Sequence, residues 1–283
     1  MSTEINYTEL NQHLLGRKSI RTYHATQYPT EEQAKEIEEF IEKLNQIEKP
    51  FNRKVKLCLQ KEDFGFWRTF AVIKGCKFWI YGVIPKNDIQ SFRQFGYLFE
   101  LLILKCTQMK LGTVWLGGTF TVGGFTKIQY DPNKEYIPCC SPVGIPRTEY
   151  SFESRMNELK SRKNWNEIFF IKNFEHSLQK ENEKERKEIC EIFKEEILES
   201  MRFSPSALNW QEWRIVFDGK NIHFFSTGGM FGDLDTGICI ANGQVALEAN
   251  GIKGKLEILN EKEICEQTKV GKGILYLVSF IGE

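Results

Sequence analysis

The chain has 283 residues, of which 41% are hydrophobic, 27% charged and 13% aromatic, and its Lys+Arg and Asp+Glu totals are equal at 38. This is a globular composition with enough apolar area for a core, in one large domain or two of ordinary size. The formal charge of +0 gives no field to draw the protein to nucleic acid or an anionic membrane, and no apolar run reaches the roughly 20 residues that cross a bilayer. The opening MSTEINYTEL lacks the basic-then-apolar order of a signal peptide, so a cytoplasmic protein is expected. Eight cysteines are scattered, with no C-x-x-C and no Cys/His group at zinc spacing, so no metal is expected. Adjacent Cys139 and Cys140 are expected as buried thiols rather than a vicinal disulfide.

A short amphipathic piece spans Tyr7–Leu15 and leads into Arg17-Lys18-Ser19-Ile20-Arg21. Three cations and a hydroxyl so close together either hold a phosphate by charge-assisted hydrogen bonds or form a solvated basic turn. Thr30 caps a predicted helix, Glu31–Gln46, whose apolar face is Ala34, Ile37, Phe40, Ile41 and Leu44. Strands are predicted at Val55–Leu59 and Phe78–Ile84, separated by an irregular aromatic stretch with Phe64, Phe66, Trp67 and Phe70. Ser91–Lys110 reads as a long helix, apolar on nearly every side and hence central. Leu111-Gly112-Thr113-Val114-Trp115-Leu116-Gly117-Gly118 follows, and then a strand at Ile137–Val143. Residues 147–163 are polar and end near Lys160-Ser161-Arg162. After a charge-dense connector, 172–188, one helix is predicted over Lys184–Met201.

Pro205 stops that helix. A loop carrying Ser204, Ser206, Asn209 and Gln211 then enters the strand Trp213–Phe217, which Asp218-Gly219 turns. These small hydrogen-bonding side chains make either an ordinary helix-to-strand loop or a rim that reads the edge of a planar polar ligand. Thr236–Asn250 is a second apolar helix, with Asp233 and Asp235 as candidate caps, and Ile274–Gly282 is the last strand. The second part retraces the first: Gly237 lies 141 residues after Gly96, and the same shift aligns Leu98 with Cys239 and Leu104 with Val245. His13, His24, His176 and His223 are dispersed, and none suggests a catalytic group.

Pro205-Ser206-Ala207-x-Asn209-x-Gln211-x-Trp213 resembles the P-S-(S/A)-x-N-x-Q-P-W loop of the nitroreductase family of FMN enzymes. Glu212 stands where that family carries Pro, which predicts a less constrained loop. The Arg17–Arg21 cluster, the Trp115–Gly118 stretch and the Lys160/Arg162 pair are similar to further motifs of the family, in the same order. The resemblance implies an α+β nitroreductase-like fold, with mixed and antiparallel sheets around long central helices. It also implies two pseudo-repeats, 1–171 and 172–283, that mimic the family homodimer within one monomeric chain.

By the same resemblance, Arg17, Lys18, Ser19, Arg21, Lys160 and Arg162 hold the FMN phosphate. Trp115, Gly117, Gly118 and Thr119 pass the flavin ring. Pro205, Ser206, Ala207, Asn209 and Gln211 reach it from the other repeat. The implied activity is hydride transfer from NADPH or NADH through flavin N5 to a nitroaromatic or quinone, with no catalytic side chain required. Phe64, Phe66 and Trp67 are expected to shape the acceptor pocket. The alternatives are a flavin-binding protein without turnover, or a flavin enzyme of other redox chemistry.

Overall fold

Asp88 starts the longest helix by accepting hydrogen bonds from the backbone N–H groups of Gln90 and Ser91. In the computed structural model, which describes residues 5–62, 66–147 and 162–283, this helix is Ile89–Gln108. It is buried almost throughout, because Phe95, Leu98, Phe99, Leu101, Leu102, Ile103 and Leu104 point to all sides. It is the third helix, α3, after α1 (Tyr7–Leu14) and α2 (Glu31–Leu44), where Thr30 and Gln33 form a full capping box.

The N-terminal part has a small antiparallel sheet. β2 (Phe78–Pro85) pairs with β1 (Lys56–Gln60), with the short β3 (Glu135–Tyr136) and with β4 (Cys140–Val143). The C-terminal part opens with α4 (Trp165–Ile168) and β5 (Phe169–Ile171), then α5 (Glu183–Phe193) and α6 (Glu195–Arg202). β6 (Trp213–Asp218), β7 (Asn221–Ser226), α7 (Gly232–Ala249), β8 (Gly254–Glu257), α8 (Glu261–Gln267) and β9 (Leu275–Gly282) follow. Their sheet has the order β5-β6-β7-β9-β8, with β5 parallel to β6 and the other pairs antiparallel. β5, the last stretch of the expected first repeat, is thus hydrogen-bonded into the second sheet. The architecture is α+β, and among the described residues no helix is long and apolar enough to cross a membrane.

Two local expectations are corrected. The single helix over Lys184–Met201 is broken at Lys194, whose φ of 57° no continuous helix accommodates. Asp233 and Asp235 do not cap α7, which begins earlier, at Gly232, with no side-chain cap. Asp233 instead bonds Arg93 of α3, at 2.7 Å from Nε to Oδ1, and Asp235 is drawn to the preceding loop. All eight cysteines are free thiols.

α3 and α7 cross at their glycines. A Cβ on Gly96 would stand 2.2 Å from the Leu234 carbonyl oxygen, and one on Gly237 2.4 Å from that of Arg93. Gly96 and Gly237 are 141 residues apart, and so are Arg93 and Leu234, so the contact is reciprocal. Gly96→Ala is therefore expected to force the helices apart and cost about 1–3 kcal/mol, read as a lower thermal midpoint. An unchanged midpoint would mean the crossing adapts freely.

Candidate cofactor site between the N- and C-terminal parts

After α1 the chain runs extended beside the segment that follows α3, with the Ile20 N–H donating to the Thr113 carbonyl at 2.8 Å. Gly112 permits this approach, since a Cβ there would meet the Ile20 side chain at 2.9 Å. Tyr23 anchors the far end: it is buried, and its hydroxyl donates to the Ile20 carbonyl at 2.6 Å. Arg17, Ser19 and Arg21 are left half-buried and Lys18 exposed.

Arg17 is in an unusual position. Its Nη1 is buried without a hydrogen-bond partner among the described residues. Burial pulls its pKa down, opposed by the carboxylate of Glu100. Close by stands Arg162, lowered to about 10 by burial and by the like charges of Arg17 and Arg202. Among the described residues neither Arg17 nor Arg162 is in an ion pair. Two guanidiniums that repel one another, with a donor to spare, have the chemistry that an anion would satisfy.

Arg162 also ties this site to the Pro205 loop. Its Nη1 donates to the Ser204 carbonyl at 2.8 Å and its Nη2 to that of Phe203 at 3.0 Å. The next residue continues the seam: the Lys163 N–H donates to Gln211 Oε1 at 2.8 Å, and Arg202 Nε donates to the Lys163 carbonyl at 2.8 Å. Gln211 is therefore an internal strut, buried to 1%, which also bonds Ser206 Oγ and the Asn209 carbonyl. Leu208, Asn209 and Gln211 have φ of 49°, 62° and 51°, left-handed values that cost non-glycine residues energy. At Glu212, where the resemblance puts Pro, the carbonyl accepts from both Thr227 N–H and Thr227 Oγ1.

At the other end, Asp235 Oδ2 accepts the Ala207 N–H at 2.9 Å. Burial pushes this carboxyl up to about 8, and its charge acts on the Cys139 thiol. A Cβ on Gly117 would lie 3.0 Å from the Phe231 ring and 3.3 Å from Cys139 Sγ, whereas one on Gly118 would meet nothing. Phe231 thus backs the glycine turn, and Asp235, whose N–H donates to the Phe231 carbonyl, holds the Pro205 loop, with Gly118 and Thr119 open to solvent. Trp115 turns away, its Nε1 donating to Glu100 Oε2 at 2.9 Å and its ring set edge-on to Phe99.

Lys160 and Phe64 lie outside the described residues, and Trp67 is 81% exposed. A separate cavity of about 180 Å³, lined by Asn164, Trp165, Asn166, Lys180, Glu181 and Arg202, shares only Arg202 with this site. Its cations are already paired with Glu195 and Glu199. Glu100 and Asn242 were not expected at the site, although each is a polar side chain within an apolar helix.

The family model described as "Putative TM nitroreductase" matches residues 9–246. Among solved structures, a protein of Thermotoga maritima MSB8 described as a putative nitroreductase is 18% identical, with a TM-score of 0.58 over 98% of this chain and 94% of that one. A putative nitroreductase from Desulfovibrio desulfuricans in complex with FMN is also 18% identical, covering 58% of this chain and 95% of its own, with a TM-score of 0.42. No curated protein sequence matches. The fold is that of the nitroreductases. The chain belongs to the nitroreductase family, a family of oxidoreductases.

Proposed function

We propose that the protein is an FMN-dependent NAD(P)H oxidoreductase of the nitroreductase type, with one flavin site built jointly by its N- and C-terminal parts. The carrying observation is the Arg17–Arg162 pair, left without an ion-pair partner among the described residues and with a buried donor unused. A phosphate relieves that repulsion and accepts the donor, so the residues present fit the group. Lys18, Ser19 and Arg21 extend the phosphate end. Gly117, Gly118 and Thr119 offer open backbone to a flat ring, and Pro205, Ser206, Ala207 and Asn209 form the opposing rim. When bound, FMN supplies hydride transfer between NADPH or NADH and a nitroaromatic or quinone. The side chains bind and orient it. The Arg162–Ser204 and Lys163–Gln211 bonds keep the rim in register with the phosphate end.

The parts 1–171 and 172–283 stand, in this proposal, for the two subunits of a family dimer, so one chain suffices as a monomer. The reciprocal crossing of Gly96 and Gly237 supports that view. The test is the absorption spectrum of purified protein offered FMN, followed by NAD(P)H oxidation with a nitro compound or quinone. Yellow protein with steady turnover is expected. Protein that takes up no FMN overturns the proposal, and flavin uptake without turnover leaves only a flavin binder.

A further inference from the structure

Glu100 is a fully buried carboxyl in the middle of α3, between Phe99 and Leu101. Its Oε2 accepts from Trp115 Nε1, but its Oε1 has no hydrogen-bond partner among the described residues. Asn242 of α7 lies beside it, with its Nδ2 donating to Ser204 Oγ at 2.9 Å and its Oδ1 also unpartnered there. Both oxygens are buried acceptors without a donor among the described residues, and Asn242 stands close enough to favour the charged form of Glu100 while it is ionised. On the other side stands Arg17, whose Nη1 is a buried donor with nothing to donate to. Arg17 thus feels both Glu100, which attracts it, and Arg162, which repels it.

We propose that Glu100 is a positioning residue that couples anion occupancy of the Arg17–Arg162 site to uptake of one proton. Without an anion, Arg17 balances the Glu100 carboxylate. When a phosphate takes the Arg17 guanidinium, Glu100 loses its counter-charge, gains a proton from solvent and donates it to Asn242 Oδ1. Asn242 in turn holds Ser204, whose carbonyl is bonded to Arg162, so the signal reaches the Pro205 loop. This coupling presupposes the FMN site proposed above.

The groups facing Glu100 are Arg17 from the segment after α1, Trp115 from the segment after α3 and Asn242 from α7. Arg162 and Arg202 stand behind Arg17. Cys239 of α7, pushed up beyond the working range by burial, does not titrate there. Asp235, at about 8, titrates in the same range but lies two turns away on α7, at the Ala207 end.

Burial already raises Glu100 to about 7 against the pull of Arg17. Loss of Arg17 to a phosphate raises it further, so the loaded state binds the proton more tightly. FMN affinity is therefore fully present below about pH 7 and declines as pH rises above it. The FMN phosphate, with its second pKa near 6, is already a dianion across this range.

The test is FMN titration of the whole protein by flavin fluorescence and calorimetry between pH 7 and 9, in buffers of different ionisation enthalpy. The wild type is expected to take up close to one proton per FMN, with Kd weakening by up to about tenfold per pH unit. Glu100→Gln, which keeps an acceptor for Trp115, is expected to show a Kd nearly flat with pH and little proton uptake. Riboflavin, which has the ring but no phosphate, is expected to bind the wild type without the Glu100 slope; a slope from Asp235 appears with both ligands. FMN binding to the wild type with no pH dependence, an equal slope in Glu100→Gln, or an equal slope with riboflavin overturns the coupling while leaving the cofactor assignment standing. No FMN binding at any pH overturns both. Should Glu100→Gln fail to fold, the difference in wild-type proton uptake between FMN and riboflavin decides alone.

Discussion

Arg17→Ala combined with Arg162→Ala is expected to weaken FMN binding by about 3–6 kcal/mol, some 10²–10⁴-fold, if each charged contact to phosphate is worth about 1.5–3 kcal/mol. The guanidiniums act on each other, so the single variants will not sum simply to the double. Arg17→Ala alone is the cleaner probe. It relieves Arg162 of a like charge but takes from Glu100 its counter-charge, so cofactor-free stability is expected to fall above about pH 7, where Glu100 ionises, while affinity falls throughout. Arg162→Ala also frees the carbonyls of Phe203 and Ser204 and should loosen the loop. Arg17→Lys is expected to recover only part of the affinity, because an ammonium lacks the planar fork. Flavin fluorescence titration measures all four, and equal affinities across them would remove the phosphate assignment.

Arg93→Ala is expected to cost about 3–5 kcal/mol of stability, since it strands the Asp233 carboxylate inside the α3–α7 contact. Both side chains are largely buried, 9% and 10% exposed, so solvent does little to screen the loss. Replacing the two together, Arg93→Leu with Asp233→Leu, should recover most of it, because apolar groups of similar volume often match or exceed a buried ion pair. Chemical denaturation of the single and double variants measures the coupling directly. A single variant as stable as the wild type would show that water reaches Asp233.

Much of this was legible in the sequence because it depends on local chemistry. A helix apolar on all sides, such as α3, has nowhere to go but the centre. Arg17, Arg162 and the Pro205 loop were legible as motifs, and the structure brings Arg162 beside Arg17 and onto the loop's first carbonyls. Long-range facts were not legible. Gln211 was expected at the ligand, yet it braces the loop from within, because its partner is the Lys163 N–H, 48 residues away in sequence. Asp233 and Asp235 looked like caps because acidic residues cluster at helix starts. Their real partners, Arg93 and Ala207, come from other elements. The parallel pairing of β5 with β6 joins segments over 40 residues apart and leaves no periodic trace.

The glycine crossing of α3 and α7 also sets how the molecule comes apart. Neither helix has a wet side, so neither sheet with its own helix forms a soluble particle, and opening the seam exposes both hydrophobic cylinders at once. The chain is therefore expected to melt as a single cooperative unit, despite carrying two separate β-layers.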